Sequence, residues 1–278
     1  NIHRKNFSWE STFTFSRNRQ RVDDIGGEDM VIAYESPNSK YAMLGYMKGY
    51  PLNALWGFQY GGTWKDRDEI SRNDVVNVYV SPYPSYYSPG RPRYIDRNND
   101  GRLDKNDLFY LGNSDPFLYG GIQNSFSIYG FRVNVYFNYS LGGKLYNISE
   151  LYMGTGSLIT NQYKYMSDSW HPVRNPGSDL PIPNSQDNIP NDRFVHDASF
   201  LRLKNLSVSY TLDTEKLTGK WLKDITVSVS GNNIWLWKKY NGYDPEVSTS
   251  RVGSTLRRMD DGAYPSNRTI VFSLQFSH

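Results

Sequence analysis

The stretch DRNNDGRLDKNDLFYLGNSDPFLYGGIQNSFSIYGFRVNVYFNYS, residues 96–140, joins an acidic loop to two runs in which apolar and polar residues alternate. Alternation with a period of two is typical of β-strands, and the tight junction at Tyr129 and Gly130 predicts a hairpin. The polar face of its second run carries one arginine and two asparagines, Arg132, Asn134 and Asn138. These side chains suit a water-filled interior better than a sandwich core, where each would need a buried partner.

Composition favours a membrane barrel over an ordinary globular domain. Phe, Trp and Tyr make up 15% of the 278 residues, although the mean hydropathy is only -0.66. Lipid-facing residues that alternate with wet interior ones, together with aromatic girdles, give this combination. A soluble all-β sandwich or propeller with tyrosine-rich loops gives a similar composition. No apolar run reaches the ~20 residues that a membrane-spanning helix needs.

Several function classes are disfavoured by what the sequence contains. The absence of cysteine excludes thiolate chemistry and disulfide bonds. A net charge of +3, with dispersed Lys and Arg, gives no reason to expect nucleic acid as a partner. Neither a nucleophile elbow, a P-loop nor a dinucleotide fingerprint occurs, and the four histidines are far apart. We therefore expect no catalytic residues and no enzyme activity.

Further alternating runs complete a set of six strands and predict a topology. They lie at residues 7–16, 119–128, 131–140, 200–212, 225–230 and 269–276, and the connections among the last five are alternately short and long. Outer-membrane barrels place short turns in the periplasm and long loops outside. We therefore expect residues 17–118 to form a large extracellular excursion and residues 119–278 to form the last barrel strands and their loops. Six strands cannot close a large barrel, so we expect this chain to be the C-terminal part of a longer exported protein.

The acidic loop has the spacing of an EF-hand-like calcium loop. Oxygen ligands at alternating positions, with Gly101 allowing a sharp turn, suit a hard cation such as calcium. The side chains of Asp96, Asn98, Asp100, Asp104 and Asp107, with the backbone carbonyl of Arg102, are the candidate metal ligands. A cluster of Asx turns without metal explains the same residues. We expect any calcium here to have a structural role.

Aromatic residues in the predicted outer loops are the candidates for contact with a transported substrate, because sugar rings stack on aromatic rings. The candidates are Trp56, Trp64, Tyr83, Tyr86, Tyr87, Trp170 and Tyr243. We expect most of them to pack the loops together rather than to touch a ligand.

Longer blocks of sequence carry a family resemblance. They are FSWESTFTFSRNR (7–19), LWGFQYGGTWKDRDEI (55–70), the run from D-x-N-x-D-G through YGG and NSFSIYGF (96–131), W-x-P (170–172), ASFLRLKNLSVSYTL (198–212), VSVSGNNIWLWKKYNGYDPEV (227–247) and YPSNRTIVFSLQFS (264–277). In this order they closely resemble the C-terminal part of SusC-like (SusC/RagA) TonB-dependent outer-membrane transporters.

The resemblance implies an antiparallel transmembrane barrel of about 22 strands with an N-terminal plug that this chain does not contain. It also implies a SusD-like surface lipoprotein as a lid, and energy supplied by TonB, ExbB and ExbD through the missing N-terminal part. The implied function is import of oligosaccharides or peptides across the outer membrane of a Gram-negative bacterium. The residues alone leave two alternatives: a secreted, calcium-stabilised β-rich carbohydrate-binding or adhesin domain, and a glycoside hydrolase that uses a pair of loop carboxylates.

Overall fold

A computed structural model describes residues 1–35, 42–73, 76–77, 87–155, 161–183, 189–214, 223–247 and 258–277. The strands in these residues are β1 (Ile2–Arg4), β2 (Phe7–Ser16), β3 (Met30–Glu35), β4 (Ala42–Met47), β5 (Ala54–Gly57), β6 (Tyr60–Thr63), β7 (Val76–Asn77), β8 (Pro92–Tyr94), β9 (Arg102–Leu103), β10 (Phe109–Asn113), β11 (Leu118–Ile128), β12 (Phe131–Leu141), β13 (Lys144–Asn147), β14 (Val195–Asp197), β15 (Phe200–Asp213), β16 (Asp224–Lys238), β17 (Met259–Asp260) and β18 (Thr269–Ser277). Short α-helices are α1 (Arg67–Ser71) and α2 (Ile148–Met153), and 3₁₀ turns occur at Lys105–Asp107, Lys164–Asp168 and Asp192–Phe194.

The long strands form one antiparallel sheet in the order β1-β2-β11-β12-β15-β16-β18. All six predicted strands are in it, the predicted hairpin pairs β11 with β12, and strands that follow one another along the chain are neighbours in the sheet. The strand β1 adds a seventh member beside β2. The prediction of an antiparallel all-β chain is confirmed.

The two faces of this sheet differ in chemistry. The outer face carries large apolar side chains that are exposed, such as Phe13 at 58% and Phe272 at 81%. Aromatic side chains pair across neighbouring strands on this face, as in the stacked rings of Trp9 and Phe126, whose centroids are 6.0 Å apart. The inner face is polar: Ser125 donates a hydrogen bond to Asn134 (2.8 Å) and Asn134 to Ser207 (3.2 Å), which links three strands.

Backbone geometry at two points fixes the register. The hairpin between β11 and β12 turns at Tyr129 (φ 46°) and Gly130 (φ 83°). Two successive left-handed residues form the turn that matches strand twist. In β15 the pairing with β12 skips Lys204. Arg202 and Lys204 fall at sequence positions that the alternation in β15 assigns to apolar residues, and this bulge accounts for them. It turns Arg202 to the inner face.

The connections between the long strands fold into structure of their own. The chain leaves the sheet at Ser16 and rejoins it at Leu118. Within this excursion, β10, β5, β4 and β3 form a separate four-stranded sheet, and Trp56 lies in a buried cluster with Ala54, Phe58, Leu103, Leu108 and Ile189. A second cluster surrounds α2 in the 142–199 connection. Burial of this kind stabilises the described parts of these connections.

The helices of this chain are confined to short segments in the connections. Among the residues that the structure describes, every helix is too short or too polar to cross a membrane.

Candidate binding cavity

A cavity of about 800 Å³ lies where the inner face of the sheet meets the long connections. Its floor is formed by Thr14, Gly121 and Asn138, which are cross-strand neighbours on β2, β11 and β12. Its walls include Asp115 from the segment before β11 and Arg258 from the connection before β18. The cavity therefore joins residues that are more than a hundred positions apart in sequence.

Two adjacent glycines, Gly120 and Gly121, stand on β11 among the residues that line the cavity. A Cβ atom on Gly121 would lie 2.7 Å from the Tyr136 ring, and one on Gly120 would overlap the Thr14 carbonyl oxygen. Both contacts are far closer than van der Waals distance, so larger side chains do not fit. Glycine here lets the Tyr136 ring lie across the strand.

A buried ion-pair network fastens the 239–268 connection to the sheet. The Arg202 guanidinium, with its side chain 3% exposed, lies 2.5 Å from Asp244 Oδ1 and 2.9 Å from Glu246 Oε2. Ser266 donates to Asp244 Oδ2 from both its hydroxyl and its backbone N–H. Asn138 Nδ2 donates to Glu246 Oε1 over 3.1 Å. This network sets Glu246 into the cavity wall.

The pKa of Asp244 reflects these contacts. Burial alone raises the pKa of a carboxyl group. Hydrogen bonds from Ser266 and from the Glu246 N–H, together with Arg202, outweigh burial and leave the pKa of Asp244 below its ordinary value. The carboxylate is therefore ionised at neutral pH and holds the connection in place.

Arg258 is the one cation among the described residues that line the cavity. Its Nη2 donates to Ser140 Oγ over 2.7 Å, and its Nη1 lies 3.5 Å from the Gly142 carbonyl oxygen. Within the part of the chain that the structure describes, none of the ion pairs closer than 4.0 Å involves Arg258. Burial lowers the pKa of Arg258, and the charges of Asp115, Glu246 and Asp197 oppose that shift. The guanidinium has five N–H donors, and contacts with described residues use two of them.

Asn138, which lines the same cavity, has a side-chain acceptor without a partner among the described residues. Its Oδ1 atom is buried and has no hydrogen-bond partner in the described structure. A buried amide oxygen without a partner costs free energy, of the order of 1–3 kcal/mol. A group with an available N–H or O–H would remove this cost.

The predicted calcium ligands form a compact loop outside the cavity. Asp96 accepts hydrogen bonds from the N–H groups of Asn99 (2.8 Å) and Gly101 (2.9 Å). Asp104 and Asp107 form a reciprocal capping box around a 3₁₀ turn. Asp107 is fully buried, and burial raises its pKa although three backbone N–H groups oppose the shift.

The remaining candidate ligands of this loop also form Asx turns. Asp100 accepts from the Arg102 N–H over 2.8 Å, and Asn98 accepts from the Asp100 N–H over 3.0 Å. In the described residues, no group of three or more His, Asp or Glu side chains is arranged to hold a metal ion. The carboxylates would have to converge in order to bind one.

The aromatic candidates for substrate contact divide by exposure. Trp56, Trp64 and Trp170 are buried at 0%, 7% and 7% exposure and pack the loops, so they present no free ring face to a ligand. Tyr87 is partly buried. Tyr243 is 76% exposed and is the candidate best placed to meet a ligand. Tyr83 and Tyr86 lie outside the described residues.

Sequence reasoning missed the cavity residues that come from the long connections. Arg258 and Glu246 stand in loop sequence without strand periodicity, and Asp115 is one of many loop acids. The cavity residues on the strands, such as Asn138 and Thr14, had a signal, since they stand on the polar faces of predicted strands. Their proximity follows from tertiary structure that a single sequence does not display.

Comparisons with known proteins agree with the fold. No family model matches the chain. It is 30% identical to the TonB-dependent receptor P26 of Formosa agariphila over 99% of this chain and 27% of that receptor. It is 23% identical to the TonB-dependent receptor SusC of Bacteroides thetaiotaomicron over 98% of this chain and 25% of SusC. The chain thus spans about a quarter of the length of these curated relatives.

A solved structure shows the same fold. The RagAB peptide transporter superposes with a TM-score of 0.74 at 20% identity, covering 99% of this chain and 28% of that chain. These relatives are receptors and transporters rather than enzymes, as expected from the lack of catalytic motifs. The chain is therefore a portion of a SusC-like TonB-dependent receptor and folds as part of an antiparallel β-barrel.

Proposed function

We propose that this chain is part of the wall of an outer-membrane barrel that imports oligosaccharides or peptides with energy from TonB. The observation that carries the proposal is the two-faced sheet, apolar and exposed on one side and polar on the other. A soluble protein rarely exposes so continuous an apolar surface. Lipid removes this difficulty because it covers the apolar face, while water and cargo occupy the polar side.

Aromatic residues at one end of the strands support the same orientation. Trp235 and Trp237 on β16 point to the outer face and are 47% and 46% exposed. Tryptophan is enriched where a barrel meets the membrane interface. Both lie at the end of β16 from which the long 239–268 connection departs. We infer that this end faces the cell exterior.

The topology extends this orientation to the other long connections. The 17–117 and 142–199 connections depart from the same end of the sheet as 239–268, because alternate strands are antiparallel. They would therefore form an extracellular layer above the barrel. A SusD-like lipoprotein is the proposed partner on this layer. TonB, with ExbB and ExbD, is the proposed energy source from the periplasmic side, acting through parts of the receptor outside this chain.

Uptake and fractionation by a strain that carries or lacks the full-length receptor test this function. We expect the receptor in the outer-membrane fraction, and uptake of its cargo that is lost when TonB is deleted. Recovery of a monodisperse receptor in the soluble fraction without detergent would contradict the proposal and favour the secreted binding domain.

We also propose that the 96–107 loop binds calcium with a structural role. Its donors are all oxygen atoms, which suits a hard cation. Calcium should raise the unfolding temperature of the full-length receptor relative to a chelator, and Asp100→Asn should abolish the difference. Asp179→Asn, at an exposed carboxylate outside the loop, is the matched control. An unfolding temperature independent of calcium would show that the loop is a set of Asx turns alone.

A further inference from the structure

We infer that Arg17 and Phe117 form a binding site for the phosphate group of an anionic lipid. The site lies on the outer side of the sheet, at the end from which the long connections depart. This inference rests on the proposed function, because it takes the apolar outer face to be in contact with lipid. It follows from the place of Arg17 in the sheet, from its contact with Phe117 and from the charges around it.

Arg17 directly follows β2 and stands on the outer side of the sheet. Its neighbours in sequence, Ser16 and Asn18, both line the cavity on the inner side. Successive side chains of a strand point to opposite faces, so Arg17 lies on the outer side with Phe15. Phe15 is 69% exposed and is the last apolar residue of β2. Arg17 therefore marks the border between the apolar outer face and the polar segment that follows.

Phe117 holds the guanidinium of Arg17 at this border. The Arg17 Cζ atom lies 4.2 Å from the centroid of the Phe117 ring. The Phe117 N–H donates a hydrogen bond to the Leu141 carbonyl oxygen over 2.9 Å, which fixes this ring beside the end of β12. The ring attracts the cation through its face. The N–H donors of a guanidinium lie in its own plane, so contact with a ring face does not use them.

Positive charge accumulates where the apolar face ends. Arg17, Arg19 and Arg21 occupy alternate positions after Phe15. Arg21 pairs with Asp23 over 3.2 Å. In the described ranges of the chain, none of the ion pairs closer than 4.0 Å involves Arg17 or Arg19, and both side chains are exposed. A guanidinium presents a fork of N–H donors that matches two oxygen atoms of a phosphate group.

A lipid phosphate matches both the apolar and the charged part of this site. The side chains of Phe15, Phe117 and Leu141 are 69%, 59% and 41% exposed. Acyl chains that cover them would place the head-group phosphate at the height of Arg17. Long cationic side chains at the edge of an apolar band reach the head-group region in this way, and basic residues there attract anionic lipids. A free phosphate ion gains nothing from the apolar part.

Native mass spectrometry of the full-length receptor in nonionic detergent tests this inference by counting bound lipids. The probes are phosphatidylglycerol and phosphatidylcholine with the same acyl chains, and inorganic phosphate. We expect phosphatidylglycerol to bind more tightly than phosphatidylcholine, and Arg17→Gln to weaken its tightest binding about 10-fold. Arg17→Lys should weaken it less, because the positive charge remains. Phe117→Leu keeps an apolar side chain but removes the ring, and should weaken binding several-fold.

A matched control separates the site from the overall charge of the receptor. Arg174→Gln removes the same charge from an exposed arginine in the 142–199 connection and should leave lipid affinity unchanged. Each variant must show the heat-resistant electrophoretic mobility of a folded barrel. Should Arg17→Gln fail this criterion, Arg17→Lys and Phe117→Leu carry the test.

Three results overturn the inference. The first is equal affinity for the two lipids. The second is an affinity for phosphatidylglycerol that the variants at Arg17 and Phe117 do not change, or that Arg174→Gln lowers as much. The third is inorganic phosphate that binds as tightly as phosphatidylglycerol, which would identify a free anion as the ligand. TonB-dependent uptake without any lipid preference would leave the import function standing while this inference falls, so the two failures are distinguishable.

Discussion

Replacing Asp244 by asparagine removes the charge that ties the 239–268 connection to the barrel wall. Asp244 and Arg202 are 2.5 Å apart, and their side chains are only 4% and 3% exposed. Removing one partner of a buried pair costs about 3–5 kcal/mol, because the other charge stays buried. Glu246 remains 2.9 Å from the guanidinium. We therefore expect the lower end of this range, about 3 kcal/mol of local stability.

Hydrogen exchange measured by mass spectrometry on the full-length receptor reports this local free energy. A loss of about 3 kcal/mol speeds exchange through local opening on the order of 100-fold. The affected amides should be those of the loop, including Glu246 and Ser266, which donate to Asp244.

The matched control is Asp179→Asn. Asp179 and Lys65 are 2.7 Å apart, but their side chains are 76% and 36% exposed. A pair of this kind contributes at most about 1 kcal/mol. Unchanged exchange of the 239–247 amides in Asp244→Asn, or an equal effect of Asp179→Asn on its own loop, would refute the role of the buried pair.

The pH dependence gives a second readout of the same side chain. The pKa of Asp244 in the folded protein lies below its ordinary value. Its contribution is therefore present above the unfolded pKa of about 3.9 and is lost as pH falls through the lower folded pKa. Wild-type loop protection should decline below about pH 4, and this part of the decline should be absent in Asp244→Asn. Identical profiles would contradict the assignment.

The outcomes of four further substitutions follow from the same structure. Gly143→Ala should cost about 2 kcal/mol in thermal unfolding, because Gly143 has a φ of +79° and an added Cβ would lie 2.8 Å from Arg258 Nη1. Gly177→Ala, with nothing within 4 Å of the added Cβ, should change stability by less than about 0.5 kcal/mol. Trp56→Ala should cost about 3–5 kcal/mol through lost packing, whereas Tyr243→Ala should leave stability unchanged and lower cargo affinity in calorimetry.

The sheet could be predicted from sequence because apolar and polar side chains must alternate along a strand that has one face toward lipid and one face toward water. Phe126, Val133 and Val208 lie in one cross-strand row on the outer face, and Ser125, Asn134 and Ser207 lie in the row beside it on the inner face. The alternation within each strand therefore indicates which of its side chains lie on the outer face and which lie on the inner face. The bulge at Lys204 is also visible in the sequence, because polar residues there occupy positions that the alternation assigns to the apolar face.

The candidate site could not be predicted in the same way. Arg258, Glu246 and Asp115 stand in irregular connections, where no period relates a residue to its surroundings. Their meeting depends on tertiary contacts such as the Arg202 network. The aromatic candidates could be listed from the sequence but not sorted by role. A tryptophan such as Trp56 has the same sequence context whether it packs a loop or contacts a ligand.

The central claim, that the sheet separates lipid from an aqueous interior, is tested most directly by spin labels on β18. Single labels at residues 270–275 of the full-length receptor in lipid vesicles report collisions with oxygen, which concentrates in lipid, and with a water-soluble nickel complex. Labels at Ile270, Phe272 and Leu274 should favour oxygen, and labels at Val271, Ser273 and Gln275 should favour the nickel complex. Equal access of the nickel complex to both sets would contradict the account.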